Sequence, residues 1–236
     1  MTFENWDSIL GAYEGDPYRR FVMIPTILNL LPDVCGKSLL EIGCGNGILI
    51  PHLLKAGAGG VVGIDIAPKL LDIARKRLPK TVPLYEADIT KSLKLSEAPF
   101  DGAVSNFVLN EVKNLQTPLQ NIYNLLRPGA FFIMGVTHPT FLLGKHLIHG
   151  ERAIKGYKSY FSGESVTDGY QDGDKSIDFV TYTFPISAYV NVAMDVGFKI
   201  EKIIEPETPK QVLDANPAYY TPYKQLPVSM YFLFIA

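Results

Sequence analysis

The sequence predicts an α/β fold, a doubly wound and mostly parallel sheet of seven strands, and three observations carry that prediction. Short apolar runs alternate with helix-period segments through the middle of the chain. Each connection there is long enough to hold a helix, as parallel neighbours require. The first apolar run breaks into a glycine-rich turn, Gly43-x-Gly45-x-Gly47, at the end of a strand where such sheets receive a ligand.

Five runs are expected as the successive strands of the core, which spans 38–136: "SLLEIG" (38–43), "GVVGID" (60–65), "VPLYEAD" (82–88), "FDGAVSN" (100–106) and "AFFIMGV" (130–136). The segments "GILIPHLLKAG", "PKLLDIARKRL" and "TPLQNIYNLLRPG" between them are expected as helices. Pro68 suits a first helical turn, and Pro128-Gly129 is expected to stop the third helix. Residues 184–236 add a helix and two strands, "GFKIEKIIEP" and "VSMYFLFIA", closer to a hairpin-like ending than to another crossover. Ahead of the core, residues 1–31 place Phe3, Trp6, Ile9, Leu10 and Tyr13, then Phe21, Ile24, Ile27, Leu28 and Leu31, at near-helical spacing, which predicts amphipathic helices capping the sheet. After the fifth strand, residues 138–183 carry Tyr157, Tyr160, Phe161, Tyr170, Phe179 and Tyr182 among glycines and charges. That stretch is too long and too aromatic for a plain connector. A lid over an organic substrate is preferred to a surface insertion with a small core of its own, and the whole is expected to form one domain, 1–236.

Composition narrows the functions available. The chain has 236 residues, 24 acidic against 22 basic, and a net charge of -2, so it lacks the field that gathers polyanions, and nucleic acid is not the expected partner. The N-terminus has no basic stretch leading into an apolar one, and no apolar run approaches membrane-spanning length, which predicts a cytoplasmic protein without a membrane partner. Cys35 and Cys44 match no metal-ligand spacing and are expected as buried thiols; no metal site is predicted.

The glycine turn separates the possible cofactors. A phosphate loop needs Lys-Ser/Thr after its last glycine, and here Ile48 and Leu49 follow Gly47. A dinucleotide site prefers Gly-x-Gly-x-x-Gly, and Ile48 stands where its last glycine belongs. Glu41 lies two residues before the turn, while Asp65 and Asp88 close the second and third strands. A carboxylate ending the second strand suits ribose hydroxyls. An acid beside the turn would repel a pyrophosphate but suits a ligand carrying an ammonium and a sulfonium. S-adenosylmethionine carries both. The competing structural roles are a helix cap for Asp65, a turn before Lys91 for Asp88 and a plain strand-end charge for Glu41.

With these residues in view, nearly the whole chain resembles the class I S-adenosylmethionine-dependent methyltransferases, a Rossmann-like family. "LLEIGCGNGILIPHL" looks like the first motif, "VVGIDIAPKLLDIARKRL" the second, "YEADIT" the third, and "FDGAVSNFVLNEV" with "LLRPGAFFIMGV" the fourth and fifth. The resemblance implies that Gly43, Gly45 and Gly47 line the methionine portion, with Glu41 near its amino group. It implies that Asp65 holds the ribose hydroxyls, Ile66 packs on adenine, Asp88 accepts from the adenine amino group with Ile89 also in the cofactor site, and Asn106 and Phe107 border the methionyl side. In "YEGDPYRRF", Tyr13, Tyr18 and Arg19 are similar to the family's segment that closes over the cofactor, whose product is S-adenosylhomocysteine.

Methyl transfer requires the nucleophile to be held behind the sulfonium methyl with water excluded, and a proton acceptor only for a protonated nucleophile. His138, directly after the fifth strand, is the first candidate for that base or for a substrate hydrogen bond; a structural role beside Pro139 competes. Asn110 and Glu111, after the fourth strand, come next, while His146 and His149 are expected to be solvated. The downstream half resembles small-molecule methyltransferases that carry His-Arg-Pro before the last helix, but Thr183 and Phe184 occupy the His-Arg positions here. The likeness therefore implies a small apolar or aromatic acceptor, methylated at oxygen or nitrogen and less readily at carbon, in a setting such as secondary metabolism. The alternatives are an NAD(P)-dependent reductase and a non-catalytic S-adenosylmethionine-binding subunit. Tyr220 and Lys224 have a reductase's Tyr-x-x-x-Lys spacing, but Pro222 between them opposes a shared helix. "NPAY" (216–219) is similar to a nucleic-acid adenine methylation motif but follows the sixth strand instead of the fourth, and is taken as chance.

Overall fold

A computed structural model describes residues 15–172 and 175–236, with the side chains of 170–177 left out. Phe3, Trp6, Ile9, Leu10 and Tyr13 lie outside the described residues. The central sheet contains β1 (Ser38–Ile42), β2 (Gly60–Asp65), β3 (Leu84–Glu86), β4 (Phe100–Asn106), β5 (Leu126–Thr137), β9 (Lys199–Ile204) and β10 (Ser229–Ile235). They stand in the order β3-β2-β1-β4-β5-β10-β9. The pairs from β3 through β5 are parallel, and β10 is antiparallel to both neighbours. The chain winds outward from β1 to β3, then returns to β4 on the other side of β1. That reversal opens a crevice at the carboxyl ends of β1 and β4, where open α/β sheets bind ligands.

Both faces of the sheet are covered because the strands are apolar at nearly every position. Leu39, Val61, Val104 and Ile133 point to one face, where α1 (Ile24–Leu30), α2 (Ile50–Lys55) and α3 (Pro68–Arg77) supply Ile27, Leu53 and Leu71. Leu40, Val62, Ala103, Phe132 and Phe232 point to the other, against Leu119 and Ile122 of α4 (Gln116–Asn124) and Tyr189 and Ala193 of α6 (Ile186–Val196). This period of two, buried on both sides, is the signature of a covered parallel sheet.

Four expectations are corrected. Pro128-Gly129 does not end a helix: α4 stops at Asn124, and β5 has begun by Leu126, which pairs with Phe100 before a bulge brings Phe131 opposite Gly102. The third strand shrinks to three residues at the sheet edge. Of the two thiols only Cys44 is buried, while Cys35 is exposed in an isolated bridge with Ala58. His146 is half-buried and stacked on Tyr157, with ring centroids 4.8 Å apart, and His149 is half-buried against Tyr223.

The segment after β5 forms α5 (Pro139–His149) and a separate antiparallel sheet of β6 (Ile154–Lys155), β7 (Ser165–Asp172) and β8 (Lys175–Tyr182). Leu142, Ile154, Tyr157 and Val166 are its buried cluster. It is fastened to the main sheet at Asn110, whose carbonyl accepts from Tyr182 N-H at 2.7 Å and from Thr181 Oγ1 at 2.8 Å. Two short helices, α7 (Lys210–Ala215) and α8 (Pro217–Tyr220), precede β10. Asn216 caps α8 through its side chain.

Candidate active site

A cavity of about 580 Å³ opens at the crevice between β1 and β4, within the range that holds organic ligands. Its floor is the glycine turn. Gly43 and Gly47 have φ of 69° and 74°, and each is also crowded: a β-carbon on Gly43 would stand 2.1 Å from Val108 Cγ2, and one on Gly47 would stand 2.7 Å from Leu78 Cδ1. Gly43 and Gly45 line the cavity, whereas Gly47 packs against Ala74 of α3 and Leu78 and is not part of the lining.

Asp65 ties the turn to the second strand. One carboxylate oxygen accepts from Gly45 N-H at 2.7 Å and the other from Ala67 N-H at 2.8 Å. Burial raises the Asp65 carboxyl above the usual carboxylate range, against the opposing pull of those amides. Asp88 is half-buried, and its burial is outweighed by hydrogen bonds from the Thr90 amide and hydroxyl and by Lys91 at 3.3 Å, which hold its carboxyl low. Ile66 and Ile89 line the wall between these acids. Opposite, Asn106 donates to Met23 Sδ, and Phe107 has a φ of 56°, the one positive value among described non-glycine residues. Such strain persists where surrounding structure enforces it.

The lining continues beyond this floor. Asp16, Tyr18 and Arg19 reach it from the segment leading into a π-helical turn at Arg19–Met23, and Tyr18 hydroxyl lies 2.6 Å from Ser229 Oγ. Phe141, Asp168, Phe179, Val180, Tyr182 and Tyr219 close the far side. Asp168 is paired with the buried Lys145, whose ammonium also lies 5.3 Å from the Tyr219 ring centroid.

Residues 40–134 match the family described as methyltransferase domain. The chain is 30% identical over 213 residues to an uncharacterised protein of Haemophilus influenzae, covering 86% of this chain and 81% of that one. It is 27% identical to a tRNA N(3)-methylcytidine methyltransferase of Schizosaccharomyces pombe, covering 77% of this chain and 64% of that protein. A crystal structure of an S-adenosylmethionine-dependent methyltransferase from Mesorhizobium loti superposes with a TM-score of 0.67 at 20% identity, over 90% of this chain and 96% of that one. The chain belongs to the class I S-adenosylmethionine-dependent methyltransferases.

The methyltransferase uses S-adenosyl-L-methionine and forms S-adenosyl-L-homocysteine, and its cavity fits that ligand on one specific ground. Glu41 is 5% exposed, and its Oε2 is buried without a hydrogen-bond partner. Burial drives its carboxyl well above the usual range, Asp65 adds to the rise and Arg19 opposes it. A buried carboxylate in that state is completed by a cationic donor such as an amino-acid ammonium.

The expected base is not in the cavity. His138 of the methyltransferase is the N-cap of α5: Nδ1 accepts from Thr140 N-H at 3.1 Å, and Nε2 lies 2.7 Å from Glu205 Oε1. Those bonds assign the ring proton to Nε2. Burial lowers its pKa, and the Glu205 carboxylate only partly offsets this. Asn110 and Glu111 do line the cavity, but Asn110 is engaged with Thr181 through Nδ2 at 3.2 Å. Tyr13 lies outside the described residues. Sequence reasoning missed Asp16, Asp168 and Tyr219. Asp16 sits in the quoted "YEGDPYRRF", and Tyr219 sits in the "NPAY" dismissed as chance, where Asn216 caps the helix that brings Tyr219 to the wall. Among the described residues, no cluster of His, Cys, Asp or Glu could hold a metal ion, and no helix is long and apolar enough to cross a membrane.

Proposed function

We propose that the protein transfers a methyl group to oxygen or nitrogen of a small, apolar or aromatic metabolite. The observation that carries this reading is one continuous cavity, with the glycine turn, Glu41, Asp65 and Asp88 at one end and Phe141, Phe179, Tyr182 and Tyr219 at the other. Bound S-adenosylmethionine supplies a sulfonium methyl group open to in-line displacement. Glu41 holds its ammonium, Arg19 faces the same amino-acid end, and Asp65 accepts from the ribose hydroxyls with the lone pairs its amide bonds leave spare. Asp88 and Ile89 border adenine, and Asn106 and Phe107 border the methionyl chain. The aromatic wall excludes water and orients an apolar acceptor behind the methyl carbon.

The tRNA-modifying relative raises a polynucleotide acceptor as the competitor. A net charge of -2 and a cavity lined by Asp16, Glu41, Asp65, Asp88, Glu111 and Asp168 oppose a phosphate backbone. Calorimetric titration with S-adenosylmethionine, S-adenosylhomocysteine and NADH tests the cofactor end. Binding of the first two alone, lost in Asp65→Ala, supports the assignment; NADH binding alone would redirect the search to carbonyl reduction. Mass spectrometry of methylated products then compares aromatic metabolites with tRNA, and methylation of tRNA alone overturns the small-molecule reading.

A further inference from the structure

Glu111 is the acid in this cavity that no other group accounts for. Asp16 accepts from the Tyr18 amide, Asp65 from Gly45 and Ala67, Asp88 from Thr90, and Asp168 is paired with Lys145. Glu41 faces Arg19 electrostatically and serves the cofactor ammonium under the reading above. The Glu111 side chain lines the cavity, half-buried, and makes no hydrogen bond or ion pair among the described residues. The preceding residue, Asn110, is pinned to β8 by the Tyr182 amide and the Thr181 hydroxyl, and the charge that acts on Glu111 is that of Asp65, so it stands between the inserted sheet and the cofactor end of the cavity. Lys145 is held by Asp168 and Arg19 faces Glu41, while Lys113, which also lines the cavity, is exposed and makes no ion pair with Glu111.

We propose that the acceptor is a primary or secondary amine on an apolar or aromatic frame, bound and deprotonated by Glu111, so that the protein is an N-methyltransferase. This rests on the methyl-transfer reading and narrows it. A half-buried carboxyl without a protein partner is favoured by either a proton or a cation, and an ammonium supplies both. Burial, and secondarily Asp65, drives the Glu111 carboxyl well above its usual range, which favours its pairing with a proton or a cation. Glu111 takes a proton from the bound ammonium. Glu111 passes that proton to solvent, and the freed nitrogen lone pair then forms the new N-C bond as the C-S bond breaks, sulfur keeping that electron pair.

Charge development separates this acceptor from an oxygen one. As a neutral amine attacks, positive charge moves onto nitrogen, so a carboxylate beside it favours the transition state over the ground state. A phenolate or carboxylate acceptor in the same place would meet like charge. The rings of Phe179 and Tyr182 also line the cavity, and aromatic faces attract alkylammonium groups.

The test uses the full chain saturated with S-adenosylhomocysteine and titrated calorimetrically with benzylamine, phenethylamine and N-methylphenethylamine, each beside its alcohol and carboxylate counterpart. The amines are expected to bind about tenfold tighter or better, the effect of one charge-assisted hydrogen bond. Glu111→Gln is expected to erase that preference while keeping S-adenosylhomocysteine affinity. With S-adenosylmethionine, the wild-type product gains one methyl on nitrogen by mass spectrometry. No amine binding, equal binding of the counterparts, or a preference that survives Glu111→Gln overturns the inference. Failure of S-adenosylhomocysteine itself to bind overturns the underlying methyl-transfer reading instead.

Discussion

His138 and Glu111 exchange roles once their surroundings are known. Both follow a strand end facing the crevice, yet the His138 ring spends both nitrogens on Thr140 and Glu205, while the Glu111 carboxyl is left to the cavity. His138→Ala is expected to cost about 1–3 kcal/mol of stability, through a lost cap and an orphaned carboxylate, without changing S-adenosylhomocysteine affinity or turnover. His138→Asn, which keeps a capping acceptor, should recover part of that loss. Chemical denaturation beside calorimetry checks both, and a collapse in turnover with stability intact would restore His138 as a base. Glu41, Asp65 and Asp88 were legible because each ends or borders a strand whose direction follows from the local pattern. The orientation of His138 was not, because Glu205 lies 67 residues away.

At the scale of elements, α5 and β7 are joined by Lys145 and Asp168, with side chains 2% and 6% exposed. A buried pair contributes little net stability, but removing one partner strands the other charge. Lys145→Ala is therefore expected to cost about 3–5 kcal/mol, whereas Lys145→Met with Asp168→Leu should stay near wild type. Urea unfolding of the three variants measures the difference, and additive losses in the double variant would sink the account. The same elements mark where element boundaries escaped the sequence. The helix before β5 looked as though it ran to Pro128, because proline and glycine stop helices, but pairing of Leu126 with Phe100 claims those residues for a bulged strand. The stretch 138–183 reads as a lid by its length and aromatic content, and its three-stranded sheet depends on pairings such as Val166 with Thr181 across the hairpin.

For the molecule as a whole, the cavity concentrates acids whose pKa values burial raises, and this sets a pH dependence. Glu41 and Glu111 have folded values above their unfolded ones, so their contribution is fully present below about pH 4.5 and is lost as pH rises through the folded values. Glu41→Gln removes one such group. Its melting temperature relative to wild type is expected to climb as pH rises from 5 to 8 without ligand, and S-adenosylhomocysteine, by neutralising Glu41, should stabilise wild type more at pH 8 than at pH 5. Thermal melts across that range check the sign, and a difference that stays flat would mean Glu41 is solvated. His138, whose folded pKa is lowered, acts in the opposite sense: stability falls as pH drops through about 6.5, when the unfolded ring binds a proton first. The sequence by itself determined the α/β order, the glycine turn and the acids that end strands, because strand period, helix period and turn chemistry are written within a few neighbouring residues. Tertiary structure alone decided that Gly47 packs on α3, that Glu111 and not His138 faces the cavity, and that Asp168 and Tyr219 complete its wall. Those outcomes depend on which distant side chains claim each polar group, and only the packed chain brings them together.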